Sequence, residues 1–142
     1  MAFLNSLNIT GSALTAERYK TDVILQNIAN QNVAASSPEE AYQRKQVVFR
    51  ERAMTFDERM MKVYGGGVRV TETVELGEDV NPVYDPDNPL ADEDGYIYMP
   101  NVNNAEEQID LLEATRAYEA NLTALSVVKA MAAKGLEIGK GG

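Results

Sequence analysis

Apolar side chains fall into two long stretches with helical spacing, separated by a middle where the period drops to two. The clearest stretch runs from about Ala105 to Ile138. Leu111, Ala114, Tyr118, Leu122, Leu125, Val128 and Ala132 follow a 3-4 spacing, one seam sustained over more than three heptads, as in a coiled coil. Asn104 can cap this helix, with Glu107 three residues on as the reciprocal partner of a capping box. At its rise per residue such a helix is roughly 50 Å long, too long to cover its own seam. The other stretch, about Phe3 to Asn32, contains no proline. Leu7, Leu14 and Ile28 share one heptad position, with Gly11 and Leu25 beside them and Arg18 and Thr21 interrupting. Asn30, Gln31 and Asn32, then Ser36, Ser37 and Pro38, end it.

Between the helices, Val68, Val70, Val74 and Leu76 alternate with Arg69, Thr71, Thr73 and Glu75, which predicts a half-buried strand. Tyr42 to Arg50 also reads as extended, and Tyr96 to Tyr98 as a short third strand. Pro82, Pro86, Pro89 and Pro100 divide the intervening chain into turns, and Gly65 to Gly67 form a flexible joint. Residues 53–64 fit a loop or a short helix.

The expected fold is mainly α with a small β insert. The terminal segments, 1–35 and 104–142, pair as a coiled-coil-like unit, and residues 36–103 form a β-rich middle domain. Full burial of a large apolar side chain contributes about 1.5–3 kcal/mol. A lone helix pair buries its side chains only partly, leaving little surplus over ordering entropy. Neighbouring subunits then supply the rest. The seam serves either as an intramolecular core or as a surface for neighbours, and both hold if its two sides differ.

Composition narrows the chemistry. The 142 residues include no Cys, His or Trp. That excludes disulfides, zinc-thiolate sites, thiol nucleophiles and histidine triads. A net charge of −9 argues against a nucleic-acid partner. Residues 36–103 carry 14 acids and 7 bases, whereas residues 1–35 balance at 2 and 2, so the acidic middle is solvated and the neutral ends suit burial. There is no transmembrane run, so no membrane insertion is expected. The N-terminal segment also lacks a secretory signal.

The acidic run Asp85 to Asp94 fails as a calcium loop. With Gly95 at the sixth position, Leu90 falls at the first and Asn101 at the twelfth. Asx-turns and proline corners explain it better. Gly65-Gly66-Gly67 precedes a strand with no Lys-Ser/Thr and is not a phosphate loop. No carboxylate pair or pocket suggests a glycosidase. No catalytic, metal or cofactor residue is assigned, and no enzyme activity is expected.

Asn27-Ile28-Ala29-Asn30-Gln31-Asn32 resembles the asparagine-rich N-terminal signature of flagellar rod and hook proteins. Met99-Pro100-Asn101-Val102-Asn103, followed by Leu112 to Asn121 with Arg116, Tyr118 and Asn121, is similar to their C-terminal signature. Tyr42 to Phe49 and Tyr84 to Tyr96 resemble a short, proximal-rod branch of this family, whereas Glu51 to Gly66 departs from its pattern and nothing is carried over onto it. The resemblance implies a structural subunit of the rod crossing the periplasm, secreted unfolded by the flagellar type III apparatus and assembled helically with its own copies. It implies FlgB, FlgF, FlgG and FliE as neighbours and the export gate as a transient partner. Phe3 and Leu7 look like the family's gate-recognition motif, though the same spacing suits an ordinary helix face. Leu14, Ile28, Leu111, Tyr118, Leu122, Leu125 and Val128 are then the expected subunit-packing residues. Asn27, Asn30, Asn101, Arg116, Tyr118 and Asn121 carry the family signature, the asparagines capping helices or bonding backbone at subunit contacts.

Overall fold

The computed structural model describes residues 2–60, 65–77 and 80–140, and omits the side chains of Ala2, Phe3, Glu58 and Lys140. Helix α1 spans Ala2–Asn30 and helix α3 spans Asn104–Lys140. Between them lie β1 (Lys45–Glu51), the short α2 (Phe56–Met60), β2 (Val68–Glu75), β3 (Asn81–Tyr84) and β4 (Tyr96–Met99). Two long terminal helices therefore bracket a β-containing middle, as the periodicity predicts. Among the described residues, no helix is long and apolar enough to cross a membrane.

Three hydroxyl side chains of α1 bond to carbonyls within the helix. Thr10 donates to the Ser6 carbonyl at 2.7 Å, Ser12 to Ile9 at 2.7 Å and Thr15 to Gly11 at 3.0 Å. Such back-bonding lets hydroxyls sit mid-helix without orphaned donors. The inner face is displaced from the expected stripe. Ala16, Val23, Ile24 and Asn27 are the buried residues, Leu7, Leu14 and Ile28 are half-buried, and Leu25 is exposed.

In α3 the buried or half-buried positions are Glu107, Asp110, Leu111, Ala114, Ala117, Asn121, Ala124, Leu125, Val128 and Ala132. The 3-4 rhythm is the expected one, but Ala117 and Asn121 occupy the inner face where Tyr118 and Leu122 were expected, and those two are exposed. Alanine and asparagine permit closer approach than a Tyr-Leu pair, while the large side chains flank the face. The cap also shifts by one residue. Asn103 Oδ1 accepts from the Ala105 amide at 3.0 Å, and Asn103 Nδ2 reaches Glu106 at 3.3 Å. Asn103 and Glu106 do the capping expected of Asn104 and Glu107, which leaves Glu107 for another role.

Contacts divide the chain into two compact units. Met1–Tyr19, Val48–Glu72 and Glu113–Gly142 make the first, and Lys20–Val47 with Thr73–Leu112 the second. In the first, the glycine triplet is a packing element rather than a flexible joint. Gly65 and Gly67 adopt positive φ, 79° and 84°, which favours glycine. A side chain on Gly66 would run into the Arg52 carbonyl, and one on Gly67 into the Ser12 hydroxyl. That hydroxyl accepts from the Val68 amide at 3.0 Å, fastening the start of β2 to α1. The Arg52 amide donates to the Gly67 carbonyl at 2.9 Å beside the β1–β2 pair.

In the second unit, β3 and β4 pair antiparallel, Asn81 opposite Met99 and Tyr84 opposite Tyr96. Sequence reading placed Pro82 in a turn, yet it lies inside β3. An edge strand tolerates it because no ladder amide is needed there. The loop joining the strands is held by Asp92. Its Oδ1 accepts from the amides of Asp94 (3.0 Å) and Tyr96 (2.8 Å), and its Oδ2 from the Tyr98 hydroxyl at 3.0 Å. The Tyr96 amide bond, then the Tyr98 hydroxyl and further amides, hold the Asp92 carboxyl below its ordinary value against a smaller opposing effect of burial. This is the expected Asx-turn chemistry.

Replacing Gly67 with alanine should lower stability by about 1–3 kcal/mol, because positive φ and the Ser12 contact both oppose a Cβ. Gly11→Ala, at a helical site with nothing within 4 Å, should raise it by about 0.4–1 kcal/mol. Urea unfolding of the two variants should move the midpoint in opposite directions.

Candidate functional site

A heavily bonded polar group in the second unit is built on Asn27, in the last two turns of α1. Its side chain is 1% exposed. Nδ2 donates to the Lys45 carbonyl at 2.9 Å and to Glu107 Oε2 at 3.0 Å. Oδ1 accepts from the Lys45 amide at 3.0 Å and from the Tyr42 hydroxyl at 2.9 Å. An asparagine amide offers two donors and two acceptor positions, and all four are used. Both backbone groups of Lys45 are thereby satisfied by one side chain, as a neighbouring strand would satisfy them.

Asn101, in the β4–α3 connection, does the same one residue earlier. Its Oδ1 accepts from the Arg44 amide at 2.8 Å, and its Nδ2 donates to the Leu76 carbonyl at 2.7 Å. The start of β1 is thus gripped by two asparagine amides, one from α1 and one from the β4–α3 connection. Buried backbone polar groups must find partners, and short, stiff amide side chains supply them where no strand is present.

Charge completes the arrangement. Glu107, fully buried, accepts from Arg44 Nε, while Arg44 Nη2 bonds Asp110 at 2.9 Å. A buried carboxylate is tolerable only with such pairing. Burial pulls the Arg44 pKa down, but the Glu107 hydrogen bond and the charges of Glu107, Asp110 and Glu106 together raise it. The Tyr42 hydroxyl is pushed above its ordinary value, first by burial and then by the charges of Glu107 and Glu75. Among the described residues, no cluster of acids could hold a metal ion. The geometry suits anchoring: acceptors and donors are consumed by one another and by backbone.

Of the residues singled out by sequence, the structure brings Asn27 and Asn101 onto the same segment, residues 44 and 45. Asn30 donates to the Gln26 carbonyl at 2.7 Å and Asn121 to Ala117 at 2.9 Å, both within their own helices. Arg116 is exposed. The Phe3 side chain lies outside the described residues. Leu7, Leu14, Ile28, Leu111, Leu125 and Val128 are half-buried, whereas Tyr118 and Leu122 are exposed. Asparagine bonding to backbone was expected at subunit contacts; for Asn27 and Asn101 it occurs within the chain. Sequence reading missed Tyr42, Arg44 and Glu107 as partners. A hint was available, since Glu107 lies four residues before Leu111 on the seam, where a charge needs a counter-charge.

Two helices flank a β-containing middle, and two asparagine amides tie the start of β1 to α1 and to the β4–α3 connection. The class follows from comparison: residues 93–138 match the family model described as the C-terminal region of flagellar basal body rod FlgEFG proteins. The chain is 38% identical to the flagellar basal-body rod protein FlgC of Bacillus subtilis (strain 168), covering 99% of this chain and all of that protein. Against FlgC of Escherichia coli O6:H1 the identity is 39%, and against that of Salmonella typhimurium 38%, with the same coverage. The chain belongs to the FlgC family of flagellar basal-body rod proteins. It is a structural component of the rod of the basal body, not an enzyme.

Asn27→Asp should destabilise the fold by at least about 3 kcal/mol. It removes both donors and sets a second carboxylate against buried Glu107. Asn101→Ala should cost about 1–3 kcal/mol, leaving the Arg44 amide and Leu76 carbonyl without this partner. Urea unfolding at neutral pH measures both. A pH dependence follows from Tyr42. A raised folded pKa means stability present below the ordinary tyrosine value and lost as pH rises through the raised one. Ionisation followed at 295 nm should show Tyr42 titrating above free tyrosine, and Tyr42→Phe should remove its share of the alkaline loss.

Proposed function

We propose that the chain is a proximal-rod subunit whose two terminal segments, 1–35 and 104–142, pair as a coiled-coil-like unit in the wall of the rod's inner tube. Residues 36–103 face outward. The observation that carries this reading is the large apolar surface on two flanks of α3. Tyr118, Leu122 (49% exposed) and Leu136 lie on one flank of its inner face. Val127, Met131 (69% exposed) and Ile138 lie on the other. Exposed apolar rows of this length mark interaction surfaces. Two flanks give a helix neighbours on both sides, as a head-to-tail helical assembly requires. The neighbours in this reading are further copies, the other rod subunits FlgB, FlgF and FlgG, and FliE.

Delivery is by the flagellar type III export gate, with Phe3 and Leu7 as the recognition pair. Leu7 is only half-buried in the folded chain, so its full contribution is not needed for internal packing.

Leu122→Glu should leave the isolated fold within about 0.5 kcal/mol of the parent, as an exposed substitution does, while stopping rod growth. Thermal unfolding of purified protein, with motility and electron microscopy of basal bodies, tests this. Cells carrying Leu122→Glu that swim normally would remove α3's outer flank from the assembly. Phe3→Ala with Leu7→Ala should leave the protein inside the cell; normal export of that double variant returns the pair to helix packing.

A further inference from the structure

The charge of this chain is not spread evenly between its two compact units. The first holds ten basic and eight acidic residues, the second three and fourteen. All the basic residues of the second unit precede Gln46, so the segment Thr73–Leu112 carries eleven acids and no base. A chain with one slightly positive unit and one strongly negative unit is electrostatically suited to head-to-tail contact with a copy of itself.

Each unit also has an exposed apolar surface with charged residues beside it. In the first, α1 and β2 enclose an open groove of about 360 Å³, with Ala16 buried in its wall, Val68, Val70 and Tyr19 around it and Arg69 exposed among them. Arg50, on the paired strand β1, is exposed as well. In the second, the β3–β4 hairpin presents Val83, Tyr84 and Leu90 to solvent. Tyr84 is braced edge-on by Tyr96, ring centroids 5.4 Å apart. Around these apolar residues stand Asp87, Glu93 and Asp94, all exposed. Asp85 and Asp92 are drawn inward to hold the turn, through Asn88 at 3.3 Å and Tyr98 at 3.0 Å. Pro82 on β3 has no amide hydrogen, which discourages docking by strand addition and leaves side-chain insertion.

We propose that the α1–β2 groove of one copy receives the β3–β4 hairpin of a second copy, Leu90 and Tyr84 entering between Tyr19 and Val70 with Arg69 facing Glu93 and Asp94. The pairing is heterologous: each copy offers a groove to one neighbour and a hairpin to another. It rests on the rod reading above and specifies which surfaces of that reading meet.

The absence of cysteine makes a direct test available. Two differently tagged full-length chains, one carrying Thr15→Cys and the other Leu90→Cys, are co-expressed in cells lacking their own copy. Basal bodies are isolated under mild oxidation and run without reductant. The expected result is a mixed disulfide of the two tags, absent when either chain is expressed alone. Arg69→Glu on the groove chain should lower its yield at least about fivefold, and Glu93→Lys on the hairpin chain should restore it. The pair Arg69→Cys and Tyr84→Cys repeats the cross-link should the first pair perturb folding. Basal bodies that contain both chains yet give no mixed product with either pair overturn the contact and leave the rod reading standing. A product indifferent to Arg69→Glu also overturns it. Basal bodies without either chain sink the rod reading, and this contact with it.

Discussion

Asn27 makes four hydrogen bonds at once, and the second unit is organised around them. It joins α1 to the Tyr42–Lys45 segment and to the first turns of α3. No other side chain fits. Aspartate has no donor at neutral pH, glutamine places its amide one carbon too far, and leucine would orphan both backbone groups of Lys45. Because the partners lie 15, 18 and 80 residues away in sequence, the network closes only once α3 has reached α1.

Much of this architecture was legible in the residues. The alternation at Val68 to Glu75 and the sustained spacing in α3 fix the kind of element because burial on one side demands a period. Which side is buried was harder to read. Ala117 and Asn121 face inward in place of Tyr118 and Leu122 because close approach selects small side chains, whereas a hydropathy pattern selects large ones. Strand β3 was hidden by Pro82, since the argument that proline breaks strands holds for central strands and not for edges. The anchoring role of Glu107 was masked by a plausible local explanation: one residue of displacement turned a capping partner into a buried ion-pair member. Asn27 and Asn101 were visible as a signature, but their action on residues 44 and 45 is long-range, and nothing in local sequence announces it.

The glycine triplet shows how composition misleads in the other direction. Three adjacent glycines suggest freedom, yet here two have positive φ and two abut other chain segments too closely for a Cβ. The permissiveness of glycine is used once, in folding, to let backbone approach Ser12 and Arg52. After that the segment has little room left. It fastens β2 to α1 in the first unit much as the Asn27 amide fastens β1 to α1 in the second, so both strands of this sheet are tied to the first helix by polar contacts.

That choice has a consequence for association. Among the described residues few large apolar side chains are buried: the core residues are Ala, Val and Ile, while Tyr118, Leu122, Met131 and Leu136 stay outside. Internal contacts made of directional hydrogen bonds define geometry well but bury little surface. The apolar area that would stabilise an independent globule is instead left available to neighbours. Such a surface invites non-specific association, and the chain counters this in two ways. Net charge of −9 keeps separate copies apart at long range. The short hairpin edge carries a proline and acidic flanks, which discourage open-ended strand pairing. Repulsion that is general and attraction that is confined to particular faces together favour an ordered polymer over an aggregate, because only the docking that places charge against counter-charge and apolar row against apolar row overcomes the barrier.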